Sequence, residues 1–375
     1  MARRPVWAEI DLEAIAHNAH MLADLVSPAK LCAVVKAFGY GHGPVPVARA
    51  AVAGGAEWLA VATVEEGVQL RQAGLTAPVL LLSEPPATAM GEVVTWQLTP
   101  TLYTNDGVEA AAKAVALFGG ADALSVHLKI DTGMHRVGAT PERAMELARA
   151  VDRSRELALE GVCTHFAVAD EPDNPFTAEQ IERFDQAVAR LAEAGIRPPL
   201  VHACNSAGAL TQPRARYGLV RCGVAIYGVA PSPALAGLCT QLRPALSLKA
   251  RVSFVKEVAA GERVSYGLRY QLAQRSVVAT VPIGYADGVP RRLGEVGAEV
   301  LIGGRRRRIA GTVTMDQITV DCRDDQSVAV GDEVVLLGGQ GDEFIGAWEW
   351  ADKLDTIAYE VTCGISARVP RVYAP

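Results

Sequence analysis

Lys36, in AVVKAFGYGHG (33–43), is the first residue of this chain whose surroundings suggest chemistry. It follows a run of alanine and valine and precedes a stretch broken by Gly39, Gly41 and Gly43. A lysine in such a run ordinarily snorkels to water or marks a strand edge. At the C-terminal end of a barrel strand it reads as functional, because that face carries the active site. Partial desolvation there lowers the amine's pKa and makes it a nucleophile for an aldehyde. Tyr40 presents a hydroxyl suited to an anion, and the glycines permit close backbone approach or a positive φ. Further groups of this kind are Lys129, Asp131 and Arg136 in HLKIDTGMHRVG, His165 in CTHF, Asn205 and Ser206 in HACNSAG, and Arg221, Gly223 and Val224 in RCGVAIYG. Taken singly, each has a structural reading: His165 as a satisfied core histidine, Arg136 as an ordinary ion-pair partner. As a set they are basic and lack an acidic ligand cluster, which favours an anionic ligand over a divalent metal, so no metal site is expected. Ser206 and the backbone N–H groups near Gly223 and Val224 stand where barrels bind phosphate, after the seventh and eighth strands.

The elements that must position these residues are legible from periodicity. Between about residues 30 and 230, short apolar runs alternate with helical stretches. The expected strands are 31–36, 58–62, 78–82, a region around 95–100, 124–130, 159–166, 200–203 and 218–223. Continuous apolar runs are those of parallel strands covered on both faces, and eight strand–helix units make a (β/α)8 barrel. An open doubly wound sheet is the alternative. Thr63 with Glu66, Asn105 and Thr140 are the expected helix caps. Beyond about residue 240 the segments LSLKARVSFVKEV, SVVATVPI, EVLIGGRRRRIAGTVTMDQITVDC, DEVVLLGG and DEFIGAWEWADKL alternate apolar and polar residues, which predicts antiparallel β structure. The fold class expected is therefore α/β: an N-terminal TIM-type barrel over 9–240, then a mostly β domain over 241–375. The N-terminal segment WAEI is expected to be a strand in either domain, and a strand within 1–8 is one that could join the second.

Composition narrows the function. Charged residues make up 21% of the 375, and the formal net charge is −6, which argues against a nucleic-acid partner. The one basic run, Arg305 to Arg308, reads as a solvated hairpin face rather than a polyanion site. No apolar stretch approaches the roughly 20 residues of a membrane helix, and the start MARRPVWAEIDL lacks an apolar signal core. Seven scattered cysteines without a CxxC pair fit reduced thiols in a cytoplasmic protein.

The motifs as a series resemble the bacterial alanine racemases over nearly the whole chain. Besides the Lys36 motif they include KIDTGMHRVG (129–138), THFAVADEPDNPFTAEQ (164–180), HACNSAG (202–208), RCGVAIYG (221–228), ERVSYGLRY (262–270), PIGYADG (282–288), GTVTMDQ (311–317) and AYEVTCGIS (358–366). The resemblance implies pyridoxal 5′-phosphate (PLP) held covalently on Lys36, and a homodimer with shared active sites. It implies that Lys36 exchanges the α-proton on the D-alanine side and the partner's Tyr266 exchanges it on the L-alanine side. His165 and Arg221 would support that pair, and Arg221 would face the pyridine nitrogen as a pure donor. Arg136 would anchor the substrate carboxylate, assisted by the backbone around Met315 of the other chain, with Asp316 orienting that loop. Lys129 would carry a carbamate that turns its repulsion of Arg136 into an ion pair. Tyr40, Ser206, Gly223, Val224 and Tyr359 match phosphate-binding positions, and Tyr285 and Tyr359 would narrow the entrance and pocket to a methyl group.

The implied role is D-alanine supply for peptidoglycan. A serine-preferring or broader racemase shares every motif, since hydrophobic pockets discriminate weakly between close isosteres. A PLP-barrel decarboxylase would place a carboxylate where Arg221 stands, and a simple PLP carrier would not need Tyr266 or Arg136. Two departures stand out: many relatives carry a small polar residue and alanine where this chain has Phe38 and Gly39, and some carry cysteine at Thr314.

Overall fold

The computed structural model describes residues 4–119 and 122–374; part of the expected N-terminal segment, residues 1–3, lies outside them. Among the described residues the chain divides into two units. One runs from Ala14 to Gly39 and from Pro44 to Arg243; the other comprises the chain up to Glu13, Tyr40–Gly43, and everything from Pro244 on.

The first unit is the expected barrel. Its parallel strands are Lys30–Val34, Trp58–Val61, Val79–Leu81, Thr99–Leu102, Leu124–Lys129, Leu157–Cys163, Leu200–His202 and Leu219–Cys222, each paired with the next up to the seventh. The eighth pairs with the first, in register from Lys30↔Leu219 to Ala33↔Cys222. The seam between the seventh and eighth is bridged by Gly218 N–H to Val201 O at 3.1 Å and Arg221 N–H to Cys204 O at 3.0 Å. Alternation cannot appear in strands whose two faces are both covered; Trp58–Val61, Val79–Leu81 and Leu219–Cys222 are buried at every residue.

Several boundaries differ from expectation. The fourth strand starts at Thr99, because Met90–Thr95 forms a helix and Trp96 caps it. Thr104, not Asn105, caps the helix Asn105–Phe118, its hydroxyl accepting from Gly107 N–H at 2.9 Å. Thr63 with Glu66 does form a capping box, and Thr140 caps Pro141–Arg153. The first strand stops at Val34, before Lys36.

The second unit is built on a mixed sheet. Phe254–Val258, Ser276–Val281, Ile318–Asp321, Arg305–Ile309, Glu299–Ile302, Glu333–Gln340, Leu246–Arg251 and Val6–Asp11 follow one another antiparallel, and Arg371–Ala374 joins the last in parallel. Its core includes Ile10, Leu248, Val300, Leu336 and Trp350. DEFIGAWEWADKL departs from the β expectation: after the short strand Glu343–Ile345, Ala347–Leu354 is a helix. The arginine run departs too. Arg306 is held by Glu299, Glu343 and Glu349, and Arg307 is buried against Asp325 and Cys322 O.

Candidate active site

Lys36 does not end a strand; it opens a left-handed turn. Ala37, Phe38 and Gly39 have φ of 52°, 56° and 60°, a conformation disfavoured for residues with a Cβ. The turn persists because it is tied at both ends. Gly39 N–H donates to Val35 O at 3.1 Å. Glu66, in the capping box of the next helix, accepts from Ala37 N–H at 2.7 Å and from Ala62 N–H at 2.8 Å. A side chain three positions after a cap thus fixes the backbone beside the lysine.

Arg221, on the eighth strand and 4% exposed, organises the barrel's C-terminal end. Its guanidinium donates to Thr164 O and Ala203 O, both at 2.9 Å, and lies 2.6 Å from His202 Nδ1 and 3.3 Å from His165 Nδ1. His202 Nε2 in turn lies 2.8 Å from His127 Nδ1. Burial, then Arg221, Lys129, Arg136 and Lys36, hold His165 well below the usual histidine range, so it is neutral near pH 7. Lys129, the last residue of its strand and 8% exposed, has its pKa lowered by burial first, with Arg221 and Arg136 adding to the shift. Arg136 is exposed, on a loop fixed by Asp131, whose carboxylate accepts from Gly133 N–H at 3.0 Å and His135 N–H at 3.1 Å.

Ser206 begins the helix Ser206–Thr211, capped by Asn205, and is itself buried. Its Oγ accepts from Gly223 N–H at 2.9 Å and Ala225 N–H at 3.4 Å. Gly223 N–H is therefore engaged by Ser206 Oγ. The 3₁₀ turn Val224–Tyr227 starts there.

The remaining predicted residues belong to the second unit. Tyr266, Tyr285, Val313, Thr314, Met315 and Asp316 line a depression of about 460 Å³. Tyr266 is 72% exposed and Met315 53%, an unusual display for such side chains. Tyr266 is held by its backbone: Ser265, at φ 65°, donates its hydroxyl to Thr312 O, and Thr312 donates to Tyr266 O at 3.0 Å. Tyr40 and Tyr359 pack ring to ring in this unit, centroids 6.1 Å apart.

Three residues of the site were not singled out from sequence, His127, His202 and Gln180, and Glu66 was read only as a helix-cap partner. The amide of buried Gln180 donates to His165 O at 3.1 Å and Thr132 Oγ1 at 3.2 Å, bracing two strand ends. His202, Gln180 and His127 all lie inside quoted motifs, which was a signal, although nothing in them paired His127 with His202.

The fold and site define an α/β barrel protein with buried Arg221 and Lys129 at its strand ends, followed by a mostly β unit. Residues 10–231 match the alanine racemase N-terminal domain and residues 245–373 its C-terminal domain. An alanine racemase of Symbiobacterium thermophilum is 49% identical over 99% of this chain and 97% of its own length, and one of Carboxydothermus hydrogenoformans is 46% identical over 99% and 100%. Among solved structures, alanine racemase from D-cycloserine-producing Streptomyces lavendulae superposes with a TM-score of 0.94 at 38% identity, covering 100% of this chain and 98% of the other. That of Bacillus anthracis with bound L-Ala-P gives 0.92 at 38%, covering 100% and 96%. The chain belongs to the alanine racemase family.

Proposed function

We propose that the chain interconverts L- and D-alanine by a two-base mechanism, with PLP as resident cofactor and a second copy of the chain completing each site. The observation that carries this reading is buried Arg221, bonded to Thr164 O, Ala203 O, His202 and His165 at the barrel's strand ends, on the same unit as Lys36, Lys129, Arg136 and Ser206. Such a set fits a phosphorylated aldehyde: Lys36 would hold it covalently, Ser206 and Val224 N–H its phosphate, and Arg221 its ring nitrogen. When bound, the cofactor would supply an electron-withdrawing ring that acidifies the α-hydrogen of the attached amino acid.

The chain's own residues do the rest. Lys36 moves the proton at Cα on the D-alanine side and Tyr266 of a second copy moves it on the L-alanine side; inversion needs one base on each face. Arg221 does not give up its proton, so the ring nitrogen stays unprotonated and electron withdrawal stays modest, which limits side reactions. Arg136 binds the substrate carboxylate with Met315 of a second copy assisting, and Tyr285 and Tyr359 limit the pocket to a methyl group. The lowered pKa of Lys129 favours its neutral amine, which can add carbon dioxide and lose a proton, giving an anion beside Arg136. Tyr40 and Tyr359 offer hydroxyls of the kind that bind phosphate. The exposure of Tyr266, Met315 and Tyr285 supports a second copy covering them. D-Alanine made in the cytoplasm would serve peptidoglycan.

The test is proton-exchange NMR of the PLP-loaded protein in D2O, with L-alanine and L-serine supplied separately and chiral analysis of products. Cα deuteration with D-alanine and little D-serine is expected. Carbon dioxide release, keto-acid accumulation, faster serine turnover or no exchange would overturn the reading.

A further inference from the structure

The segment proposed to help bind a carboxylate carries a carboxylate of its own. Asp316 follows Met315 directly, and its side chain is 57% exposed. An unneutralised anion there would repel the substrate. Arg368 Nη2 donates to Asp316 Oδ1 at 2.7 Å. Arg368 Nε also lies 3.7 Å from Oδ1 of Asp287, a carboxylate with no exposed surface.

Asp287 is the hub of this network. It accepts from Gly284 N–H at 2.9 Å and from both terminal nitrogens of Arg4, Nη1 at 2.8 Å. Arg4 further donates through Nε to Pro282 O at 2.9 Å. Burial alone would raise the Asp287 pKa, but these bonds and Arg368 overcome it and hold the carboxyl below its usual range. Charges therefore alternate along Arg4, Asp287, Arg368 and Asp316. A buried carboxylate is costly unless paired, and here the second arginine that faces it reaches on to the binding loop.

The same turn clamps that loop through its backbone. Tyr285 N–H donates to Thr314 O at 3.0 Å and Ala286 N–H to Met315 O at 3.1 Å. A Cβ on Gly284 would lie 2.3 Å from Thr314 O, so the approach requires glycine. The backbone clamp sets where Met315 sits; Arg368 sets the charge beside it.

We propose that Arg368 is a positioning residue that cancels the charge of Asp316, so that the Met315 segment can receive a substrate carboxylate, and that Asp287 and Arg4 hold Arg368 in place. This rests on the proposed alanine reaction. Wild-type turnover of alanine tests that reaction; the variants below test the cancellation only.

The experiment measures KM and kcat in both directions for the PLP-loaded wild type, R368A, R368K and R368A/D316N. Like charges about 6 Å apart near a protein surface predict a KM in R368A raised about three- to tenfold for either enantiomer, with kcat changed less. Enantiomers have equal free energy, so kcat/KM must fall equally in both directions. The increase is expected to shrink at about 1 M KCl, where the screening length is about 3 Å. R368K, which keeps the charge, should stay near wild type, and R368A/D316N should recover most of the loss. An unchanged KM in R368A overturns the proposal. So does a raised KM that neither salt nor the second substitution relieves, since a purely structural role gives that result. If R368A does not fold, R368Q with its D316N double variant gives the same comparison.

Discussion

Arg221 is a donor only, and this fixes the protonation of two buried histidines. Its Nη1 lies 2.6 Å from His202 Nδ1, so that nitrogen accepts and the proton of neutral His202 is on Nε2. Nε2 is 2.8 Å from His127 Nδ1, which must therefore accept, leaving the His127 proton on Nε2, 3.6 Å from Glu160 Oε2. A second proton on His202 would set an N–H against the guanidinium at a site with no exposed surface. Burial, with Arg221, His127 and Lys129, accordingly holds His202 well below the usual range; burial lowers His127 as well, against the pull of Glu160. The native chain thus keeps both rings neutral, while the unfolded chain protonates them as pH falls through about 6.5. Depressed folded pKa values make this stability complete above that pH and progressively lost below it. From about pH 7.5 to about pH 5.5 a ring that stays neutral throughout, as His202 does, costs about 1.4 kcal/mol, and His127 adds to the loss in the same direction. Nitrogen-15 NMR of histidine-labelled protein should show both rings protonated on Nε2 only at pH 7.5, with no titration of His202 across that window. Urea unfolding should show a wild-type pH slope steeper than that of H127N/H202N by up to two protons. A ring titrating near pH 6.5, a proton on Nδ1 of His202, or equal slopes would refute the reasoning.

Other consequences are as direct. Phe38 sits at φ 56°, where ordinary residues lose about 1–2 kcal/mol, so F38N should stabilise the chain by about 1 kcal/mol in urea melts; destabilisation would contradict the strain. S206A leaves Gly223 and Ala225 N–H without their acceptor and should cost about 1–3 kcal/mol, with weaker retention of PLP on dialysis. E66A strips the acceptor from Ala37, Ala62 and Thr63 N–H, and should cost about 1–2 kcal/mol and slow turnover by loosening the backbone at Lys36. K36A and Y266F, each inactive alone, should regain roughly a quarter of wild-type activity when mixed and refolded, because half the dimers then hold one intact site. No recovery in a folded mixture would contradict a site shared between chains.

What was legible in the sequence was what depends on near neighbours. Apolar runs of parallel strands and alternation in the antiparallel sheet are local, so the barrel and the β unit could be placed before any contact was known. Lys129 and Arg221 could be assigned to one barrel end because strand ends share a face. The fourth strand shifted because Met90–Thr95 carries too few residues to display helical periodicity. Arg306 and Arg307 were read as solvated because their acceptors, Glu343, Glu349 and Asp325, come from other elements. The role of His127 was not legible for the same reason: its partner is 75 residues away.

The glycines after Lys36 show how far such reading reaches. The sequence admits a positive φ at Gly39, and at φ 60° glycine completes the left-handed turn without a Cβ penalty. Gly41 has a second reason to lack a side chain: a Cβ there would lie 2.1 Å from Thr362 O. Arg371 Nε donates to Gly41 O at 2.9 Å, closing the contact from the chain's other end. Tyr40–Gly43 thus belongs with the second unit although it interrupts the barrel sequence. Glycine spacing announced that something approaches closely; only a partner 330 positions further along could say what.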